Sequence, residues 1–271
     1  MKNNILIIAV IVTVVLGGLY SCNRDYTLKS PVQTTSGTAY LKIVDASPNF
    51  RNVLNKADSF NVFVGGNKIS GFTPGGTVSW LTFGAIYPTV SSNYGYVSIP
   101  AGSQVIKLSV PGVLLADSVA ITSLTKTFLP DQLYTLMITD SIASTRDSSQ
   151  IFVQDSYLQP VVGYFNLRFI HAVLNDTAGK MIDIYSTRTN RSIFTNVKPG
   201  SISTFTQYPF NAVLSDTLYV RRSGSPAIVL DTLNTVSFSN GRTYTLYYRG
   251  DGTTNYNTNT KRRHLATYLH Q

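Results

Sequence analysis

The stretch TAYLKIVDAS (residues 38–47) is repeated in altered form by YFNLRFIHAV (164–173). Leu41, Lys42, Ile43, Val44 and Ala46 fall on Leu167, Arg168, Phe169, Ile170 and Ala172. In Tyr40-Leu41-Lys42-Ile43-Val44-Asp45 apolar and polar residues largely alternate, the period of a β-strand whose two faces meet different surroundings. Three further stretches recur in the same order. SFNVFVGGNKI (59–69) aligns with MIDIYSTRTNR (181–191), Asp117-Ser118 with Asp231-Thr232, and LYTLMITD (133–140) with TYTLYYRGD (243–251). The last two share Tyr-Thr-Leu at 134–136 and 244–246. The spacing shrinks from 126 to 110 residues along the way, so the second copy has shorter loops. Four anchors in one order indicate an internal duplication. The expected domains are 38–157 and 161–271, with the boundary near Pro160, after the polar stretch 141–150.

Within each copy the strand signal holds. Phe60-Asn61-Val62-Phe63-Val64 alternates like the opening strand, and Gly65-Gly66-Asn67, Pro74-Gly75-Gly76, Pro100-Ala101-Gly102 and Lys198-Pro199-Gly200 punctuate the strands as turns. No segment sustains a helical apolar period beyond two turns. The chain has 17 Tyr and 13 Phe, and its 13 acids are all aspartate, which favours turns where glutamate would favour helices. The expected fold is all-β: two tandem immunoglobulin-like (Greek-key) β-sandwich domains of about seven strands each. His264–Leu269 reads as a last strand, after the polar link 250–261.

Ahead of the repeat stands a different kind of segment. Met1-Lys2-Asn3-Asn4 is a short, positively charged start, and Ile5 to Leu19 is an apolar run broken only by Thr13, Gly17 and Gly18. At about 15 residues it is short for a membrane span and right for a signal peptide over 1–21. Leu19-Tyr20-Ser21-Cys22 closes it, and Cys22 is the only cysteine of the chain. Leu19, Ser21 and Cys22 resemble a bacterial lipobox, although Tyr20 is bulkier than that pattern's usual residue. The resemblance implies cleavage before Cys22 and lipid attachment to its thiol, so that the membrane, held through acyl chains, is the expected first partner. Residues 22–37 form a polar, turn-rich tether. The mature chain carries a net charge of +8 and has no second cysteine for an internal disulfide. Its Lys and Arg are scattered, which reads as solvated surface charge; an exported protein does not meet the chromosome, and nucleic acid is not expected as a partner.

The opening strand carries a further resemblance. LKIVDASPN (41–49), NVFVGG (61–66), the Pro-Ala-Gly turn at 100–102 and LYTLMITD resemble domain of unknown function number 4397. The second copy keeps Arg168, His171-Ala172 and Ile182-Asp183-Ile184-Tyr185, but has Val173-Leu174 where that family has Ser-Pro. The resemblance implies exported, often lipid-anchored β-sandwich modules of Bacteroidota-type bacteria, and it brings no activity with it.

Residues suited to catalysis are few. The histidines are His171, His264 and His270. His171, on the polar phase of its strand, is a candidate general base, but Asp45 at the same site of the first copy points to a hydrogen-bonded structural position. There is no His-x-x-x-His, no cysteine pair and no Asp-rich loop closed by Glu, so no metal site or cofactor is expected. Glycine-rich pieces lack the Lys-Ser/Thr and helix of a phosphate loop. The chain is not expected to be an enzyme.

Two patterns remain. Eight of the thirteen aspartates precede Ser or Thr, where composition predicts about three. The triplets centred on Ser118, Ser141, Thr177, Thr217 and Thr232 resemble acceptors of Bacteroides-type O-glycosylation, and equally suit turn capping. Trp80, Phe83, Tyr87, Tyr94 and Tyr96 cluster within 17 residues. Exposed, Trp80, Tyr87 and Tyr94 would contact a ligand; buried, they are core. The expected function is that of a non-catalytic outer-membrane lipoprotein serving as a binding, adhesion or structural module, with envelope proteins or glycans as partners. The alternatives are a fimbrillin-like pilus or adhesin subunit that donates 264–271 as a strand, and a carbohydrate-binding accessory lipoprotein.

Overall fold

The computed structural model describes residues 37–47, 59–69, 81–82, 86–87, 95–111, 118–139, 150–176, 181–211, 215–252 and 263–270. These belong to one compact unit and form strands, with no helix among them. In the first half, one sheet runs β10 (Ile151–Gln154), β9 (Leu133–Ile138), β1 (Thr38–Asp45), with β5 (Ile86–Tyr87) and β6 (Val97–Pro100) both on the far side of β1. Its partner runs β3 (Asn67–Lys68), β2 (Ser59–Val64), β7 (Gly102–Pro111), β8 (Ser118–Phe128), with β4 (Leu81–Thr82) added to β2. In the second half the sheets are β14 (Thr206–Pro209), β11 (Tyr164–His171), β17 (Thr243–Arg249), β18 (His264–Leu269), and β13 (Arg191–Val197), β12 (Ile182–Ser186), β15 (Asp216–Arg222), β16 (Ser225–Val236).

β4 and β5 have no counterpart in the second half, and the remaining strands of each half are lettered a to h in chain order. Both halves then read h-g-a-d and c-b-e-f. Strands a and g run parallel in each, with Ile43 opposite Leu136 and Phe169 opposite Leu246. The two halves are therefore all-β sandwiches of one topology, each with eight lettered strands where about seven were expected. The eighth is h, which follows the last repeated sequence stretch. His264–Leu269 is indeed a strand, paired with β17 along its whole length.

The corner between f and g sets the register of the repeat. The Tyr134 hydroxyl accepts a hydrogen bond from the Leu129 amide at 2.9 Å, and the Tyr244 hydroxyl one from Ser239 at 2.9 Å. Phe128 and Phe238 lie 5.0 Å from these rings in both copies. Such a corner ties a chain reversal to the core through one hydroxyl. Its offset of 110 places Asp231 in the middle of β16, whereas Ser118 opens β8. The pairing of Asp117-Ser118 with Asp231-Thr232 is thus a misregister, produced by a dipeptide too frequent in this chain to mark a position.

Each half has its own core, centred on Leu41, Ile43, Val62 and Leu136 in the first and on Leu167, Phe169, Ile184 and Leu246 in the second. A third cluster joins them: Val44, Ala46, Met137 and Ile151 pack with Ile170, Ala172, Tyr247 and Tyr268. Alternate residues of β1 and β11 thus face their own sandwich and the other one. Both strands are buried nearly end to end, the condition of a strand covered on both faces. Each fully buried Val, Leu or Ile contributes about 1.5–3 kcal/mol.

The pairings also fix which ends coincide. β1 starts beside the start of β9 and the end of β10, and β11 beside the start of β17 and the end of β18. Lys42 Nζ donates to the Leu269 carbonyl at 2.7 Å, and the Gly250 amide to Ala46 at 3.3 Å. The a strands therefore run the same way. Gly37, the turns at 129–132 and 239–242, and the linker 155–163 gather at one end.

Candidate functional site

The most elaborate chemistry of the described residues lies in the seam between the sandwiches. Equivalent positions there carry Lys42 and Arg168 on strands a, Thr135 and Thr245 on strands g, and Asp155 and His270 just past strands h. All six are buried. Arg168 NH2 pairs with Asp155 Oδ1, and its Nε donates to Thr245 Oγ1 at 2.8 Å. Thr245 Oγ1 lies 2.7 Å from His270 Nε2, and His270 Nδ1 lies 2.5 Å from the Tyr96 hydroxyl. That hydroxyl donates to Asp155 Oδ2 at 2.9 Å, as does Thr135 Oγ1 at 2.6 Å.

One proton arrangement satisfies every contact. Tyr96 has a single proton and gives it to Asp155, so His270 must donate from Nδ1 and accept at Nε2 from Thr245. The result is a closed circuit, Arg168 to Thr245 to His270 to Tyr96 to Asp155 and back to Arg168, with a neutral imidazole inside it. Burial drives the His270 pKa well below its ordinary value, helped by the nearby Arg168 and Lys42 charges. Burial opposes the Arg168 charge, but Asp155 and Tyr268, by charge and hydrogen bond, together outweigh it and the guanidinium is held charged. Phe205 covers that guanidinium at 4.5 Å and meets Tyr157 edge-on at 5.3 Å, closing the ring from outside.

Lys42 completes the seam. Its ammonium sits 4.7 Å from the Tyr96 ring and 4.8 Å from that of Tyr268 while donating to Leu269. Burial lowers its pKa to about 7, although Asp155 pulls the other way and Arg168 adds to the fall. The expectation of solvated basic residues fails at Lys42 and Arg168. Period two shows that they share a face, but a second sheet covers that face.

A second cluster closes the opposite end of the second sandwich. Buried Asp176 accepts from both terminal nitrogens of Arg222, at 3.1 and 2.7 Å, and from Arg263 at 3.0 Å. His171 Nε2 stands 3.7 Å from Asp176, beyond hydrogen-bond reach. His171 is wholly buried and neither ring nitrogen makes a hydrogen bond, nor does the Tyr248 hydroxyl, whose ring stands edge-on at 5.4 Å. The hydrogen-bonded His171 expected from the sequence is therefore corrected: burial holds it neutral, with a pKa lowered to about 4 against the pull of Asp176. A general base needs a reachable substrate, and this imidazole is sealed. Among the described residues no three of His, Cys, Asp and Glu assemble a metal site.

The other predicted residues scatter. Cys22, Trp80, Tyr94, Ser141 and Thr177 lie outside the described residues; Tyr87 falls in β5 and Ser118 opens β8, with only their backbone described. Thr217 and Thr232 are half-buried within β15 and β16, not in exposed turns. The aspartates before them are clamps. Asp216 accepts from Ser186 Oγ at 2.5 Å and the Arg188 amide at 3.0 Å, and Asp231 from the Leu265 amide at 2.6 Å.

Beside the seam opens a groove of about 440 Å³, lined by Ser156, Tyr157, Leu158, Asn166, Phe205 and Gln207 among others. The Asn166 amide nitrogen is committed to the Leu158 carbonyl at 2.6 Å and Thr243 at 3.2 Å. No protein-family model and no curated protein matches this chain. Among solved structures, a candidate cell-adhesion protein from Bacteroides uniformis is similar at 10% identity, over 86% of this chain and 98% of that one, with a TM-score of 0.19. A candidate cell-adhesion protein from Bacteroides fragilis is similar at 10% identity over 86% and 97%, with a TM-score of 0.18. Likeness of that degree carries no residue and no role from those proteins to this one.

Proposed function

We propose that this chain is a non-catalytic, lipid-anchored protein of the outer membrane, held through acyl chains on Cys22, whose two sandwiches act as one rigid binding, adhesion or structural module. The observation that supports this reading is the seam. Asp155, Arg168, His270 and Lys42 are buried there, and each makes a contact that joins one half to the other. Such a network specifies one arrangement of the sandwiches. The resemblance of the strand motifs to domain of unknown function number 4397 points to an exported module of the same kind. Its partners are envelope proteins or glycans, and no cofactor is required.

The anchor is tested by metabolic labelling with a fatty acid and by membrane fractionation. The parent chain takes up label and sediments with membranes, and Cys22→Ala loses the label and is released or retained as precursor. A fully membrane-bound, acyl-free Cys22→Ala protein processed like the parent would end the lipoprotein reading. The strand-donating pilus alternative is disfavoured by β18, which is paired along its length and packed through Leu265 and Tyr268.

A further inference from the structure

Resting on the lipid-anchored reading, we propose that the end of the body where the tether joins is a membrane-docking face, which seats on an anionic bilayer surface. At the end that holds Gly37, the linker between the sandwiches presents Leu158 at 85% exposure, Val161 at 55% and Val162 at 91%, and the neighbouring corner adds Leu129 at 54%. Linker residues normally avoid such exposure, and an apolar crest of this kind marks an interaction surface. The crest is held in place. The Gly163 amide donates to Asn240 Oδ1 at 2.9 Å, Gln159 to the Gly241 carbonyl at 2.9 Å, and Tyr164 to the Val161 carbonyl at 3.0 Å.

Charge at this end favours one occupant. Arg188 and Arg242, both half-buried, lie in turns of the second sandwich at this same end. Of the described aspartates at this end, Asp155 and Asp216 are buried and Asp131 is the exposed one. Exposed apolar side chains with arginines at the same end match the boundary between acyl chains and anionic headgroups. Chain length agrees. Residues 22–36 span at most about 50 Å when extended and about 20 Å as a coil, so the acyl anchor keeps this end close to the bilayer. At such an effective concentration even weak insertion of a few side chains orients the body.

The test uses the full chain, isolated with its anchor and reconstituted in phosphatidylethanolamine vesicles with and without phosphatidylglycerol. Val162→Cys and, as a control on β16, Ile228→Cys are labelled with a fluorophore, and the parent chain supplies the blank for Cys22. Both positions are at least half exposed, so neither change threatens folding. Quenching by a spin-labelled lipid is compared with quenching by aqueous iodide. The expected result is a severalfold higher lipid-to-iodide ratio at 162 than at 228, rising with phosphatidylglycerol and falling in Arg242→Glu. Equal aqueous quenching at both sites overturns docking. Shielding of 162 from both quenchers also overturns it, since a second copy would then cover the crest. The mass of the N-terminal peptide from the same sample reports acylation. An unacylated Cys22 with lipid-quenched 162 leaves docking standing and removes the anchor reading; an acylated Cys22 with water-quenched 162 does the reverse.

Discussion

Asp155 and His270 stand at equivalent ends of two equivalent edge strands and are joined through one hydroxyl, that of Tyr96. The same structural position is a charged acceptor in one sandwich and a neutral donor in the other, and that difference lets the hydrogen-bond circuit close. The circuit makes its members interdependent.

Asp155→Asn leaves the Arg168 guanidinium buried without its counter-charge. The expected loss is about 3–5 kcal/mol in urea unfolding. Arg168→Gln alone costs a similar amount, and the double variant costs less than the sum by about 1–3 kcal/mol, as contacting partners do.

Acid destabilises the protein through its buried imidazoles. The folded pKa of His171 is about 4, below the unfolded value of 6.5, and His270 is shifted in the same direction. Between these limits the unfolded chain binds more protons, so stability is full above pH 6.5 and is lost as pH falls towards 4. The His171 share is about 3 kcal/mol. Unfolding midpoints across this range check it, and His171→Phe flattens the profile.

Lys42 acts in a higher window. Its folded pKa of about 7 lies below the ordinary 10.5, so stability rises as pH climbs from 7 towards 10.5. Lys42→Met removes that rise, and at pH 7 it is more stable than the parent by on the order of 1 kcal/mol, because an ion is no longer buried. A parent and variant with parallel profiles would rule this out.

Tyr134→Phe and Tyr244→Phe each leave a backbone amide, of Leu129 or Ser239, without its acceptor. Each costs about 1–3 kcal/mol in chemical denaturation, and the two losses are alike because the corners are copies.

Gly252 lies against the backbone of Asn175 and Asp176, where an added Cβ would come within 2.5 Å of the Asn175 carbonyl oxygen. Gly252→Ala therefore forces the 250–252 turn off the Asp176 cluster. The expected cost is about 1–3 kcal/mol of stability by thermal melting.

The repeated strand order was legible because strands a and g are covered on both faces, so both halves need apolar residues in the same phase, as in Leu-Lys-Ile-Val and Leu-Arg-Phe-Ile. Strand h was legible only in the second half, as His264–Leu269, and its first-half counterpart β10 was hidden. The two have no repeated letters, since Val153 and Tyr268 fill the same place with different bulk. The seam escaped for a related reason. Alternation says which residues share a face and is silent on whether water or another sheet meets it, so Lys42 and Arg168 looked solvated. His171 was placed on the right strand, but the unpaired state of its ring nitrogens depends on Asp176 lying slightly too far away, which spacing along the chain does not encode.

The covalent link between the halves has a consequence for what such an interface is allowed to contain. Two separate copies meeting about a twofold axis must set Asp against Asp or His against His, and their contact weakens on dilution. Joined in one polypeptide, the copies hold together at any concentration, and each side is free to acquire the residue its opposite lacks. The protein behaves as a heterodimer that cannot dissociate.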